Sequence, residues 1–501
     1  MLYKVNIINY KKNEYNIEPE LGKKEISLFE KKIIDCDNII INKKGEVEKY
    51  ENGEMVKNVV GILKCKKEYG KMEYMFEPYD KKMPPMMVKY REKIEFNKEK
   101  VNRYCIIKWI HWKEKYPKGE LIHMIGKTNV LKNYYEYQLY AKELMVYGYK
   151  NKYKLLEKIT VEGVNKKYSF LEKREDRNIF SIDPKGSRDY DDALSIKSDN
   201  NGGYIISVYI TNVALWLEYL NHWKINGVSS IYLPNMVKNM LPKEISEKIC
   251  SLCVDELPKI TYGIDINIKN RIIKKIEWKE CIIKMTHNFV YEEKELMEFE
   301  DYKLICKESE REIKDSHELV EYYMTMMSKW TGKEKLGIIY KEIREKSFLE
   351  LLIGNEFGRG YTTDETMGYL HITSPIRRVV DLINNMYNNR KNIVSEDGKR
   401  MYEYWINNVE KINEMTKRIK KVERQGYLLE YFERNEKRIF EGILIEKTKP
   451  GIKYRVYLYE INSTCDGIGD PKNEKGEYEI YLLKNEENEK KKIRCKEIIK
   501  E

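Results

Sequence analysis

No run of about eighteen or more apolar residues occurs in this 501-residue chain, so no membrane-spanning helix is expected. The opening segment, MLYKVNIINYKKNEY, lacks a basic stretch followed by an apolar one, and no secretory signal is expected from it. Cysteine is thin and dispersed: of nine residues, only Cys250 and Cys253 form a close pair. A lone CxxC is half a zinc site or a redox pair at most, and no second CxxC or nearby histidine pair completes it. These thiols are therefore expected to be reduced packing residues in an intracellular, cytoplasmic protein. Phenylalanine is scarce, 11 against 41 tyrosines. Tyrosines among lysines and arginines can stack on unpaired bases, although the joint abundance of Lys, Asn, Ile and Tyr also fits a biased base composition in the encoding genome. No segment repeats at a fixed period.

What remains is a globular composition. Apolar residues make up 42% and charged residues 35%, which suits packed domains rather than disorder. The length predicts three or four domains. The net charge of +11 favours polyanionic partners through long-range attraction, although solvated lysine faces give the same sign.

Residues 1–83 read as mainly β, with short alternating runs broken at Asn52-Gly53 and Tyr69-Gly70, both hairpin chemistry. A second short-strand region covers 84–165 after the pair Pro84-Pro85. Small barrels of this kind are often OB folds, which present a face to single strands; a plain sandwich is the alternative. Across 166–436 strands (NIFSID, GYIISVYIT, ITYGIDINI) alternate with helical stretches. One helix is expected to start at Asp315-Ser316 with Glu318 in a capping box, its stripe Leu319, Tyr322, Tyr323 and Met326 being core packing. Another helical stretch runs from 399 to 437. Residues 437–501 return to β, with a turn at Pro450-Gly451 and a strand at EYEIYLL. Their charged tail, KNEENEKKKIRCKEIIKE, is expected to be frayed or helical.

The chemistry is concentrated in NIFSIDPKGSRDYDDALSI. Asp183 ends a short buried strand, Pro184 and Gly186 turn the chain, and Asp189, Asp191 and Asp192 follow. Four carboxylates this close repel and raise one another's pKa unless a cation intervenes. Hard oxygen donors without neighbouring His or Cys favour Mg2+, with Mn2+ as the other choice. Such a site suits phosphodiester cleavage. An acidic surface loop or a structural calcium loop are the other readings, though the spacing does not fit an EF-hand.

A second cluster, YLHITSPIRRVVD, carries Arg377 and Arg378. Ser374 and Pro375 read as a helix start, which puts both arginines where phosphate is favoured. An intramolecular salt bridge, for instance to the acidic cluster itself, is the alternative. Tyr232, in SIYLP, is a base-stacking platform or half-buried packing.

Taken together, IDPKGSRDYDDAL, YLPNMVKNMLPKEISEKICSL and ITSPIRRVVDL resemble, in order and spacing, the ribonuclease II and ribonuclease R family, whose catalytic module is the RNB domain. The resemblance covers about 166–436. Upstream, VVGILKCKKEYGKMEYMFEPYDKKMPPMMV and CIIKWIHWKEKYPKGELIHMIGK resemble the paired cold-shock domains of the Dis3-like branch, here without a PIN domain. The resemblance implies a multidomain α+β protein: cold-shock-like OB barrels at 1–83 and 84–165, a mixed α/β RNB domain at 166–436, and an OB-type RNA-binding barrel at 437–501. It implies processive 3′-to-5′ hydrolysis of single-stranded RNA to nucleoside 5′-monophosphates by two-metal catalysis. Asp183, Asp189, Asp191 and Asp192 then hold Mg2+, Arg377 contacts phosphate, and Tyr232, Tyr291, Arg378 and Glu423 contact RNA. A monomer is expected, with decay-complex partners. A catalytically inactive RNA-binding subunit of such a complex is the second reading.

The chain also departs from the family pattern. Asn212 stands where an aspartate is usual, Val379 where an aromatic is usual, and Asn385-Met386 where a His-Arg pair is usual. The stretch 292–315 is short relative to the family and offers no match for the family's base-stacking aromatic.

Overall fold

The computed structural model describes residues 2–19, 26–41, 47–50, 58–91, 100–145, 154–199, 201–334, 336–343, 349–353, 369–449, 453–461, 463–484, 486–487 and 492–498. Two compact units result: residues 1–147 with 233–235 and 421–501, and residues 148–232 with 236–420. Among the described residues no helix is long and apolar enough to cross a membrane.

In the first unit, Glu14–Glu18, Leu2–Asn9, Asn38–Ile41 and Val47–Tyr50 form, in that order, an open antiparallel sheet. It buries Val5, Ile7, Leu28, Ile33 and Ile39. The strands Asn58–Gly70, Glu73–Pro78, Met86–Lys89, Lys118–Lys127 and Arg103–His111 close a barrel in that spatial order. Ile439–Lys449, Lys453–Leu458, Ser463–Ile468, Ile493–Ile498 and Lys475–Leu482 close a second one. Both barrels have the sequence order 1-2-3-5-4, with a parallel pair between third and fifth strands, Val88 facing Gly119 in one and Gly467 facing Cys495 in the other. That is the OB arrangement. Crowding decides where glycine is required: a Cβ on Gly61 would sit 2.2 Å from the Glu77 carbonyl oxygen and 2.5 Å from the Phe76 ring.

The boundary expected at 83/84 falls inside the first barrel. Glu73–Pro78 pairs with Met86–Lys89 across Pro84-Pro85, because Phe76, Met86 and Val88 share one core. Residues 2–50 give an open sheet, not a closed barrel. The tail expected to be frayed or helical supplies the strand Ile493–Ile498, since Cys495 is buried in the second barrel's core and Ile493 packs against it. The hairpin at Tyr69-Gly70 forms, with Met72 at φ 59° in the turn. The turns at Asn52-Gly53 and Pro450-Gly451 lie outside the described residues. The two barrels of this unit are tied together by Lys492, whose buried Nζ donates to the carbonyls of Lys484 (3.0 Å) and Thr128 (3.4 Å) and lies over the Tyr134 ring. Burial pulls its pKa down to about 8.

The second unit is built on a seven-stranded sheet in the order Glu172–Arg174, Ile272–Ile283, Lys259–Lys269, Tyr204–Thr211, Asp192–Ser198, Phe180–Asp183, His287–Val290. Its centre is antiparallel; the two outermost pairings are parallel. Ile206, Val208, Ile210, Tyr262 and Ile264 line one core with Leu319, Tyr323 and Met327 from the helix Ser316–Lys333. Of the expected stripe, Leu319 and Tyr323 are buried, while Tyr322 and Met326 pack at its edge. The helix starts where expected, with Asp315 accepting from the Glu318 N–H at 2.8 Å, but the expected capping box is altered: the Glu318 carboxylate accepts from the N–H of Lys314, one residue before the cap, at 2.8 Å. The helical stretch expected over 399–437 is two helices, Glu396–Ile406 and Val409–Arg434.

Arg174, 2% exposed, crosses the sheet to Asp265 with two parallel hydrogen bonds of 2.8 and 2.7 Å. Removing one partner of such a pair strands a buried charge. Arg174→Met is expected to lower the unfolding free energy of this unit by about 3 kcal/mol, read by urea titration; a loss under about 1 kcal/mol would show that the pair is screened after all.

Candidate active site

The sheet itself brings the acidic residues together. Asp183 is the last residue of Phe180–Asp183, and Asp192 the first of the neighbouring strand, Asp192–Ser198. The two strands are antiparallel, so the end of one lies beside the start of the other and the connecting loop carries Asp189 and Asp191. Gly186, at φ 89°, makes the turn an L side chain resists. The loop is then pinned. Thr211 N–H donates to the Asp191 carbonyl (3.0 Å), Leu252 N–H to the Tyr190 carbonyl (2.9 Å), and Tyr291 N–H to the Asp183 carbonyl (3.2 Å). The Ser251 hydroxyl accepts from Tyr190 N–H at 3.1 Å and donates to the Arg188 carbonyl at 2.8 Å.

Burial, mutual repulsion and one cation set the electrostatics. Burial pushes the carboxyls of Asp183, Asp191 and Asp192 up to about 7. Repulsion adds to it: Asp191 and Asp189 act on Asp183, Asp183 acts on Asp192, and Asp192 and Asp189 act on Asp191. Arg377 opposes the rise at all three. Asp191 is the most deeply held, 2% exposed. One oxygen accepts the Ile376 N–H at 3.0 Å and the other the Arg377 Nε–H at 2.9 Å. The salt bridge from the arginine cluster to the acidic cluster, one of the two sequence readings, is therefore present, and it leaves Arg377 still 44% exposed at its side chain.

The Ser374–Arg378 segment is a turn rather than a helix start. Arg377 and Arg378 N–H groups both point back to the Ser374 carbonyl, at 3.3 and 3.0 Å. Arg378 is extended (φ −136°, ψ 125°), and the helix begins at Val379. Ser374 is not the N-cap: Arg378 holds that position, and the Ser374 N–H is bound to Asp381 at 2.9 Å. The two arginines part company: Arg377 faces Asp191, and Arg378 donates to Asp381 at 2.8 Å.

Of the tyrosines, Tyr232 donates its hydroxyl to Asp189 at 3.1 Å. Tyr291 lies within electrostatic reach of Asp192 and Asp183, and burial pushes its hydroxyl up to about 12. Its ring stacks on His317 at 3.8 Å and 6°. The next residue, Glu292 (φ 57°), locks this loop to the helix start by accepting from Ser316 N–H at 2.8 Å. Glu423 stands on the helix Val409–Arg434, in the unit that holds the barrels. The sequence pattern marks neither Ser251 nor His317, and Ser316 only as a helix start. Ser251 lies inside the quoted segment ending in KICSL, but nothing in its spacing marks a hydroxyl that grips a loop about sixty residues away.

Two of the departures, Asn212 and Asn385, meet in one place. Asn212 caps the helix Val213–Leu220 by accepting from Leu215 N–H. Asn385 donates to Asn212 at 3.1 Å and accepts from Ala214 N–H at 2.7 Å. Asn389 joins them at 3.4 Å, all three fully buried. A neutral amide network occupies the position, and Val379 and Met386 are core residues.

Among the described residues, no group of three or more His, Cys, Asp or Glu side chains is already placed to hold a metal ion. The donor chemistry nonetheless fits one: carboxylate oxygens that repel each other, with no thiol or imidazole, suit Mg2+ or Mn2+.

Residues 172–323 match the RNB domain, and residues 73–137 match the Dis3-like cold-shock domain 2. Ribonuclease R of Mycoplasmopsis pulmonis (strain UAB CTIP) is 33% identical over 133 residues, 26% of this chain and 18% of that protein. DIS3-like exonuclease 2 of Xenopus tropicalis is 39% identical over 88 residues, 16% of this chain and 11% of that protein. The matched stretches thus span about a fifth or less of these relatives' own lengths. The apo form of Mycoplasma genitalium RNase R has the same fold over 99% of this chain and 100% of its own, with a TM-score of 0.66 at 14% identity. Yeast Ssd1, a pseudonuclease, shares the fold over 96% of this chain and 80% of its own, with a TM-score of 0.54 at 11% identity.

A carboxyl whose folded pKa of about 7 exceeds its unfolded value near 4 binds its proton better when folded. Stability is then greatest below about pH 4 for these groups and falls as pH rises toward 7. In EDTA the melting temperature is expected to drop between pH 5 and pH 8, and added Mg2+ or Mn2+ to raise it again at pH 8. A flat profile would contradict the burial of these carboxyls.

Proposed function

We propose that this chain, whose residues 172–323 match the RNB domain, hydrolyses single-stranded RNA from the 3′ end, processively, to nucleoside 5′-monophosphates. The observation that carries this reading is the gathering of Asp183, Asp189, Asp191 and Asp192 at one end of the sheet with Arg377 tied among them. Asp183, Asp189 and Asp192, with Asp191 behind them, are the residues to hold divalent cations. Divalent cations held by these carboxylates would supply the positive charge that makes a water acidic and offsets charge on the leaving oxygen. The chain's own groups do the rest. Arg377 keeps its charge beside Asp191 and offers the exposed part of its guanidinium to a phosphate. Burial and Asp189 keep the Tyr232 hydroxyl protonated, and its one proton goes to Asp189, which it orients. Tyr291 offers an apolar ring to the terminal nucleotide. Glu423 and the OB barrels are RNA contacts in the same reading, with the strand admitted unpaired.

A second reading, RNA binding without turnover, is favoured by one observation: both Asp191 oxygens already carry hydrogen bonds. The test is incubation of 5′-labelled single-stranded RNA with Mg2+, beside Asp192→Asn. Mononucleotide release by the native chain alone supports the nuclease; retention of intact RNA by both supports the binding module. In the same assay Arg377→Ala is expected to flatten the dependence of log affinity on log salt by about 0.7, the share of one phosphate contact on a single strand. An unchanged slope would take Arg377 off the phosphate.

A further inference from the structure

Two adjacent arginines are sent to different carboxylates, and the residue that sorts them is outside the acidic cluster. Asp381 is wholly buried in the first turn of the helix Val379–Asn388. A buried carboxylate requires hydrogen bonds and a counter-charge. Its Oδ1 receives both, the Ser374 N–H at 2.9 Å and the Arg378 Nη2–H at 2.8 Å. Its Oδ2 accepts no hydrogen bond among the described residues.

Ser374 is the relay. Its N–H is held by Asp381, its carbonyl accepts the N–H groups of Arg377 and Arg378, and its hydroxyl accepts from Arg377 Nη2 at 3.0 Å. Two more bonds fix where the turn sits: Ser230 N–H donates to the Arg377 carbonyl at 2.9 Å, and Val379 N–H to the Val228 carbonyl at 2.9 Å. The outcome is that Ile376 N–H and Arg377 Nε reach the two oxygens of Asp191 at 3.0 and 2.9 Å.

We propose that Asp381 is a positioning residue for Arg377. Through Ser374 it holds the turn that aims Arg377 at the acidic cluster. By pairing with Arg378 it keeps the neighbouring guanidinium from competing for Asp191. The kinetic side of this proposal rests on the nuclease reading; the aim of Arg377 can also be read as RNA affinity without turnover.

The experiment is a double-mutant cycle on the full chain, with kcat and RNA affinity in EDTA measured on a 5′-labelled single-stranded RNA. Asp381→Ala alone is expected to lower kcat by about 10- to 100-fold, the cost of a misplaced group near the chemistry. In the Arg377→Ala background it is expected to add less than about twofold, because the two act as one unit. Asp381→Asn retains an oxygen at the Oδ1 position and is expected to recover most of the loss. It also serves as the variant that folds if alanine does not, checked by melting temperature. Effects that multiply in the cycle, or an asparagine variant as damaged as the alanine one, overturn the proposal. If the native chain releases no nucleotide, the nuclease reading falls, while the same cycle in affinity still decides the role of Asp381.

Discussion

The carboxylate of Asp191 is the joint on which the candidate site depends. It is out of water, and each oxygen takes one N–H, from Ile376 and from Arg377. Its backbone carbonyl takes a third, from Thr211. A single buried charge thus fastens the acidic loop, the strand beside it and a turn 185 residues later in the chain. In a medium that screens poorly, such a charge is tolerated only with partners of this number and sign. That is why Arg377 is drawn to the cluster while Arg378, one residue on, is drawn to Asp381.

The same economy of buried charge appears where the chain departs from its family. Asn212, Asn385 and Asn389 form a neutral network that still caps a helix and still satisfies the Ala214 N–H. Changing one member of a buried charged pair alone would strand its partner; here the residues at both positions are amides. Asn212 and Asn385 therefore read as one substitution of a network, with Val379 a separate change in the core.

The barrels illustrate how far local pattern reaches. Short alternating strands were legible in YRVYLYE and EYEIYLL because one face is apolar, and an OB fold follows from such strands. Their grouping was not legible. Pro84-Pro85 reads as a boundary by local chemistry, yet the strands on either side share the core of Phe76, Met86 and Val88. The last strand, IRCKEI, is charged enough to read as a tail, and only the burial of Cys495 makes it part of a barrel. Two barrels of identical strand order arise from segments with no visible repeat, because closure depends on which faces are apolar and not on which residues make them so.

By itself the sequence marked the acidic set, Asp183, Asp189, Asp191 and Asp192, the segment of Arg377 and Arg378 (though as a helix start rather than a turn), and the RNB and OB character of the chain. Those features are local: carboxylates a few residues apart lie within electrostatic reach of one another, and alternation fixes strand faces. Tertiary structure alone decided which arginine faces the cluster and that Tyr232 spends its hydroxyl on Asp189. It also set Asp381 behind the turn and Ser251 under the loop. Each of these is a hydrogen bond between residues separated in the chain or turned by the backbone between them. Such pairings are chosen by burial, since a polar group removed from water takes whichever partner the packed fold brings within about 3 Å.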